Sequence, residues 1–387
     1  MNRRLIFWSA CLGMMLFGIT MITFGSVIPD LKHKLDIDDI LAGSLFSLLP
    51  LGILAGSFLF GPIADRNGYR LLLSVSCLIL AAGFEGAAFS NSIASLFFSV
   101  FFIGLGGGAV NGATNSLVSD ISETGKGANL NLLGVFYGIG ALGMPLIFGL
   151  LRKHFTYDRV LSATGLLCLA VAMMYLAIGF PPAKQEKGHF LNGIRKLVTN
   201  RFLILVSVFL FFESSAEGII NNWTTLYLLD NNHIENEKAL FALSAFVAGM
   251  SVMRLITGGL LRNVSEEKIY TGCFAIILAG LAIFRFLHGE VAAVSGLFLT
   301  GAGLSYGFPV MLGFIGSLFV NLSGTAMSVA LAFSLIGNMS LNYLMGLIAK
   351  NLGIRYFITL VFLEVLVLIF LAAIIFRTRD KQNPTNT

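Results

Sequence analysis

Between Phe211 and Trp223 the chain reads Phe-Phe-Glu-Ser-Ser-Ala-Glu-Gly-Ile-Ile-Asn-Asn-Trp, so two carboxyls, two amides and an indole interrupt an apolar run. Glu213, Glu217 and Asn221 recur every four residues and would share one stripe of a helix, with Asn222 and Trp223 near its edge. A carboxylate beside amides can hold several hydroxyl groups, and an indole face can stack on the apolar face of a sugar ring. The same carboxyl could instead carry a proton, ligate sodium, or sit in a buried ion pair with Arg254. Two more amide pairs have the four-residue spacing, Asn111/Asn115 in Gly104-Leu-Gly-Gly-Gly-Ala-Val-Asn-Gly-Ala-Thr-Asn-Ser and Asn338/Asn342. Amides placed so either offer donors and acceptors to a ligand or bond neighbouring helices together. Tyr137 stands in Leu130-Asn-Leu-Leu-Gly-Val-Phe-Tyr, and Tyr306 precedes the break Phe308-Pro309.

The elements that must position these residues follow from composition. Of 387 residues, 56% are hydrophobic and 12% charged, with a mean hydropathy of +0.86. Soluble domains carry about 25% charged residues, so this chain is an all-α polytopic membrane protein. Stretches of roughly 20 apolar residues match a helix crossing ~30 Å of hydrocarbon. They are expected at 5–29, 41–63, 71–89, 94–118, 129–151, 160–180, 202–229, 238–261, 269–288, 290–318, 324–350 and 354–376. The first is longer than a signal-peptide core and lacks a small-x-small cleavage site, so it reads as a retained span. The long break at 181–201 is basic and carries Pro181 and Pro182, dividing the chain into halves 1–180 and 202–376 around a linker, with a tail at 377–387. Basic residues concentrate in the linker, at Arg3, Arg4, Arg66 and Arg70, and at Arg377 and Arg379, which places both termini in the cytoplasm.

Shifting the chain by 197 residues, the interval from Gly52 to Gly249, superposes glycines without a gap. The pairs include Gly61/Gly258, Gly83/Gly280, Gly104/Gly301, Gly106/Gly303 and Gly140/Gly337. Such self-similarity predicts two parallel, pseudo-symmetric six-helix halves. In that register span 1 is the counterpart of span 7, and Thr20 the counterpart of Glu217.

The loop after span 2 reads Gly61-Pro-Ile-Ala-Asp65-Arg66-Asn-Gly68-Tyr-Arg70. A small residue permits close helix approach, a second glycine permits a tight turn, and the acid and bases can pair at the membrane face, with Asp120 of span 4 as a partner for Arg66 or Arg70. This stretch resembles the signature loop of the major facilitator superfamily, and the resemblance extends over essentially the whole chain. It implies the twelve-helix fold, alternating access, and a solute site near the bilayer midplane. Spans 4, 5 and 7 further resemble the fucose permease and sodium-dependent glucose transporter-like branch. They carry its glycine-rich span 4, the Leu-Asn-Leu opening of span 5, and a Glu six residues before a Trp (Glu217, Trp223). Departures are clear. Span 1 has no carboxylate in Gly18-Ile-Thr-Met-Ile-Thr-Phe-Gly25, and Asn111 stands where the permease has its span 4 glutamate, so its acids do not carry over.

The expectation is a secondary transporter for a small polar solute, foremost a sugar, coupled to H+ or Na+ in a bacterial inner membrane, and monomeric. Substrate contacts are expected from Asn111, Asn115, Tyr137, Glu217, Asn221, Asn222, Trp223 and Asn338, and ion coupling from Glu217 with Arg254. Gating is expected from Gly61, Asp65, Arg66, Gly68, Arg70 and Asp120. The alternative is a proton-coupled drug antiporter, whose span 5 signature Gly138-Ile-Gly-Ala-Leu-Gly-Met-Pro145 resembles, although span 4 lacks the usual arginine. A non-transporting sensor is a third reading. The sequence carries no nucleotide-binding Gly-x4-Gly-Lys loop, no metal-like cluster and no nucleophile constellation, so no cofactor, nucleic-acid partner or enzymatic activity is expected. Cys11, Cys77, Cys168 and Cys273 are read as packing residues, and Glu85 and Glu364 as acids of peripheral spans.

Overall fold

The computed structural model describes all residues except 1, 2, 123–125, 153, 182–199, 261–263, 288, 320–322 and 383–387. Of 61–66, 126–128, 131, 258–260, 316, 317, 323–325, 328 and 380–382 it describes the backbone alone. Most of the expected linker therefore lies outside the described residues.

Twelve helices are long and apolar enough to cross a membrane: Arg3–Leu35, Asp39–Phe60, Asn67–Ala88, Ile93–Ile121, Leu132–Leu151, Tyr157–Ala177, Arg201–Asp230, Asn236–Thr257, Glu266–Phe286, Glu290–Ile315, Val329–Leu352 and Ile354–Arg379. They are called spans 1 to 12. Several begin on a polar cap that takes up an orphan backbone N–H. Asp38 accepts from Leu41 N at 2.8 Å, and Asn200 accepts from Phe202 N and Leu203 N, both at 3.0 Å. Spans 2 and 3 run on as one helix, Asp39–Ala88, broken at Gly68 with φ 79° and ψ 167°. That left-handed conformation strains any residue with a Cβ, so the second glycine of the loop motif is the hinge between the two spans. Span 10 is broken as well, into Glu290–Leu304 and Gly307–Leu318. Pro309 lies in the first turn of the second piece, where a missing N–H leaves no intrahelical bond unmade.

The chain divides into two compact units, residues 1–187 with Asn236–Ser244, and residues 188–235 with 245–387. In the first, spans 2 and 3 pack on span 4, span 1 on spans 4 and 5, and span 6 on the Asp39–Ala88 helix. In the second, span 7 packs against spans 11 and 12, and span 9 against span 10.

The glycine repeat recurs in three dimensions. A Cβ on Gly52 would collide with the Phe101 carbonyl, and one on Gly249 with the Phe298 carbonyl. Gly104 abuts Leu49 O and Gly301 abuts Phe246 O; Gly106 abuts Ser76 O and Gly303 abuts Cys273 O. Each contact in one unit has its counterpart at the same sequence interval in the other. These glycines are packing surfaces, letting backbones approach where lipid supplies no hydrophobic drive between helices.

The first turns of span 8 belong to the first unit. There Arg152, at the end of span 5, forms a bidentate pair with Asp30 at 2.6 and 2.8 Å. The Asn236 amide oxygen, oriented toward Arg152, accepts from the same guanidinium at 2.8 and 2.9 Å. All four cysteines are buried and free.

If the matched glycines are packing surfaces, Gly104→Ala and Gly301→Ala should each destabilise the protein by about 1–3 kcal/mol through overpacking. Gly134→Ala, where nothing lies within 4 Å of the added carbon, should be neutral or stabilising. Thermal unfolding in detergent distinguishes them, and equal melting temperatures for all three would contradict the packing account.

Candidate functional site

In the second unit, span 7 presents two different faces. On one, polar groups are spent on helix association. Asn342 Oδ1 of span 11 accepts from Asn222 Nδ2 at 3.1 Å and from the Trp223 indole Nε1 at 3.2 Å. Its own Nδ2 donates to Asn338 O at 2.9 Å and Asn338 Oδ1 at 3.0 Å. Asn338 Nδ2 in turn donates to Ser214 O at 2.9 Å. The Asn338 amide lies flat against Gly218, where any side chain would overlap it. Trp223 is fully buried and Asn338 and Asn222 nearly so. Three residues expected to touch solute thus join spans 7 and 11, through a hub, Asn342, that was absent from the expected site. Its four-residue spacing from Asn338 was the signal available.

On the other face the stripe Glu213, Glu217, Asn221 is differently placed. Asn221 is buried and its Oδ1 has no hydrogen-bond partner. Glu217 is half-buried and interacts electrostatically with Arg254 of span 8. No direct ion pair joins them among the described residues; the Arg254 guanidinium Nε donates to Ser305 O, at the break in span 10, at 3.4 Å. Glu213 lies one turn nearer the start of span 7, 3% exposed, against Gly307.

The first unit carries a parallel arrangement. Asn115 Nδ2 donates to Asn111 O at 2.9 Å and to Asn111 Oδ1 at 3.0 Å, the same geometry as Asn342 on Asn338. Here both residues are half-buried. Tyr137 is half-buried too, its ring 5.7 Å from that of Phe17. Thr20, the counterpart of Glu217, is fully buried and donates back to Leu16 O at 2.9 Å.

At the motif loop, Tyr69 donates to Asp120 Oδ2 at 2.6 Å and lies 2.8 Å from Ser116 Oγ. Arg70 donates to the Leu176 carbonyl at the end of span 6. The loop therefore clamps span 4 through Tyr69, a residue the motif reading passed over. The side chains of Asp65 and Arg66 lie outside the described residues, and of Gly61 only the helical backbone is described. The peripheral acids have partners across helices: Ser162 donates to Glu85 at 2.9 Å, and Ser215 donates to Glu364. Among the described residues no cluster of three or more His, Cys, Asp or Glu could hold a metal.

Residues 10–319 match the family described as the Major Facilitator Superfamily. The chain belongs to that superfamily. Among curated members it is similar to the membrane sensor protein UhpC of Salmonella typhimurium, 23% identical over 70% of this chain and 65% of that one. Against that sensor the match thus spans a little under two thirds of the relative's length. A probable hexose phosphate transport protein of Chlamydia pneumoniae is 20% identical over 78% of this chain and 76% of its own. The multidrug resistance protein MdtG of Enterobacter lignolyticus is 25% identical over 81% of this chain and 77% of its own. In three dimensions the superfamily fold is matched by a D-xylose-proton symporter with a TM-score of 0.80 at 12% identity, covering 95% of this chain and 96% of that one. Superfamily members of this kind are not enzymes.

Asn342→Leu should lower the melting temperature, corresponding to about 1–3 kcal/mol, because it strands the Trp223 indole N–H and the Asn222 amide in a dry interface. Asn115→Leu, which removes bonds within one helix only, should cost less than about 1 kcal/mol. Thermal unfolding of the purified variants ranks the two, and the reverse order would refute the hub.

Proposed function

We propose that this superfamily member is a secondary active transporter that moves a small polar solute, foremost a sugar, across the bacterial inner membrane by alternating access. The observation that carries this reading is the span 7 stripe. Glu217 and Asn221 keep groups uncommitted to helix association, while Asn222, Trp223 and Asn338 beside them are bonded into a rigid frame. A carboxylate and an amide one turn apart, held on a fixed helix, suit the paired hydroxyls of a sugar. In the first half Asn111, Asn115 and Tyr137 supply half-buried amide and phenol groups of the same character. Asn222, Trp223 and Asn338 then act on solute chiefly by positioning Glu217 and Asn221.

The likeness of spans 4, 5 and 7 to the fucose permease branch supports a sugar, as does the hexose phosphate relative. Glu217, under the field of Arg254, is proposed to link solute binding to coupling by H+ or Na+. The loop Gly61, Asp65, Arg66, Gly68 and Arg70, with Asp120, is proposed as the cytoplasmic gate, the protein being a monomer with both termini in the cytoplasm. The likeness to a multidrug resistance protein supports the second reading, a drug efflux antiporter.

Counterflow in proteoliposomes against a sugar panel, with and without sodium and a pH gradient, tests the proposal. Saturable exchange of at least one hydroxylated solute is expected. Glu217→Gln should insert normally and lose coupled uptake at least tenfold. Absence of any sugar exchange, together with a shifted drug susceptibility in a deletion strain, would favour the efflux reading. Absence of all solute flux would favour a sensor.

A further inference from the structure

At the Glu213 end of the stripe, on the side of spans 9 and 10, lies a second polar site that the proposed solute contacts do not use. Its centre is Glu213, whose carboxyl rests on the Cα of Gly307, at the start of the second piece of span 10. The Phe308 backbone N–H, in the first turn of that piece, acts electrostatically on the carboxyl, and Oε2 is buried without a hydrogen-bond partner. Facing it across a small cavity are Tyr270 and Tyr306, ring centroids 5.1 Å apart, with Phe209, Ile277 and Leu368 closing the sides. Tyr270 donates to Gly307 O at 3.2 Å, while the buried Tyr306 hydroxyl has no partner. The cavity volume is about 10 Å³, on the order of one water molecule and too small for a solute.

Two buried oxygens without partners here lie beside a helix N-terminus and a break in a membrane helix, and call for an occupant. We propose that Glu213 carries the coupled proton, held apart from the solute site at the hinge of span 10. When Oε2 holds the proton, the acid is neutral and lies flat on Gly307. When the proton leaves, the carboxylate is held by the Phe308 N–H and the N-terminal dipole of the second helix piece. Loading and release therefore change the contact between span 7 and the span 10 hinge. The other titratable or charged groups facing the site are Glu217 on the same helix, Arg254 on span 8, Tyr270 and Cys273 on span 9, and Tyr306 at the break. Glu266, paired with Arg379, acts on Tyr306 from farther off, and Glu364 of span 12 is turned to Ser215.

This inference deepens the transport reading and rests on it, so one of its tests needs no solute. In infrared pH titration of the purified protein in lipid, wild type should show a protonated-carboxyl band that titrates and is missing from Glu213→Gln. Identical titrations would overturn the proposal. In proteoliposomes, Glu213→Gln should keep counterflow within about threefold of wild type and lose accumulation driven by a pH gradient at least tenfold, whereas Glu217→Gln should lose both. Undiminished accumulation by Glu213→Gln, or wild-type accumulation driven by sodium alone, would overturn it. Should Glu213→Gln fail to insert, Glu213→Asp should shift the pH dependence of accumulation while retaining counterflow, and an unchanged profile would count against the site. If wild type moves no solute yet the band titrates, the transport reading fails and the proton site stands.

Discussion

A polar atom inside hydrocarbon has no water to bond, so it must find its partner within the protein. Nearly every feature of this chain answers to that constraint. Hydroxyls in the spans turn back on their own helix, as Thr23 does to Ile19 O at 2.6 Å and Thr300 to Gly296 O at 2.7 Å. Amides reach across, as from Asn338 to Ser214 O. Against this background the unpartnered atoms stand out. Among the described residues, those on Ser207, Glu213, Asn221, Thr224 and Tyr306 belong to span 7 or to the break in span 10, and those on Ser74, Tyr157 and Glu364 lie in other spans.

Association of the spans rests on shape, because lipid tails are as apolar as leucine and offer helices no hydrophobic reason to pair. The matched glycines supply that shape twice over. Gly52 and Gly104 seat one backbone against another in the first unit, and Gly249 and Gly301 do so in the second, through the corresponding carbonyls. Inside the helices the backbone departs from regular geometry at a few places. Gly68, with its positive φ, breaks the helix of spans 2 and 3, and Ser305–Tyr306 breaks span 10.

Charge is distributed by depth and by role. Arg152 and Asp30 form their pair at helix ends, with side chains 29% and 20% exposed, where ions retain contact with water. Both oxygens of Glu85 accept from Ser162, and Glu364 Oε1 accepts from Ser215 while its Oε2 is buried without a partner. Glu217 and Arg254 sense each other without closing into an ion pair, an arrangement in which neither charge is locked.

The sequence by itself determined the twelve spans, the repeat between the halves, and the four-residue spacing of each amide and acid row. All three depend on local composition and helical period, which a linear chain states directly. Only the tertiary structure decided which partner each polar group takes. Asn115 bonds within its own helix and Asn342, in the same spacing, becomes the hub of two helices, because only the latter faces a helix bearing Trp223 and Asn222. Glu213 and Glu217 look alike in sequence, four residues apart in one apolar run. Packing separates them, setting one against the Gly307 backbone at the break in span 10 and leaving the other half-buried near Arg254.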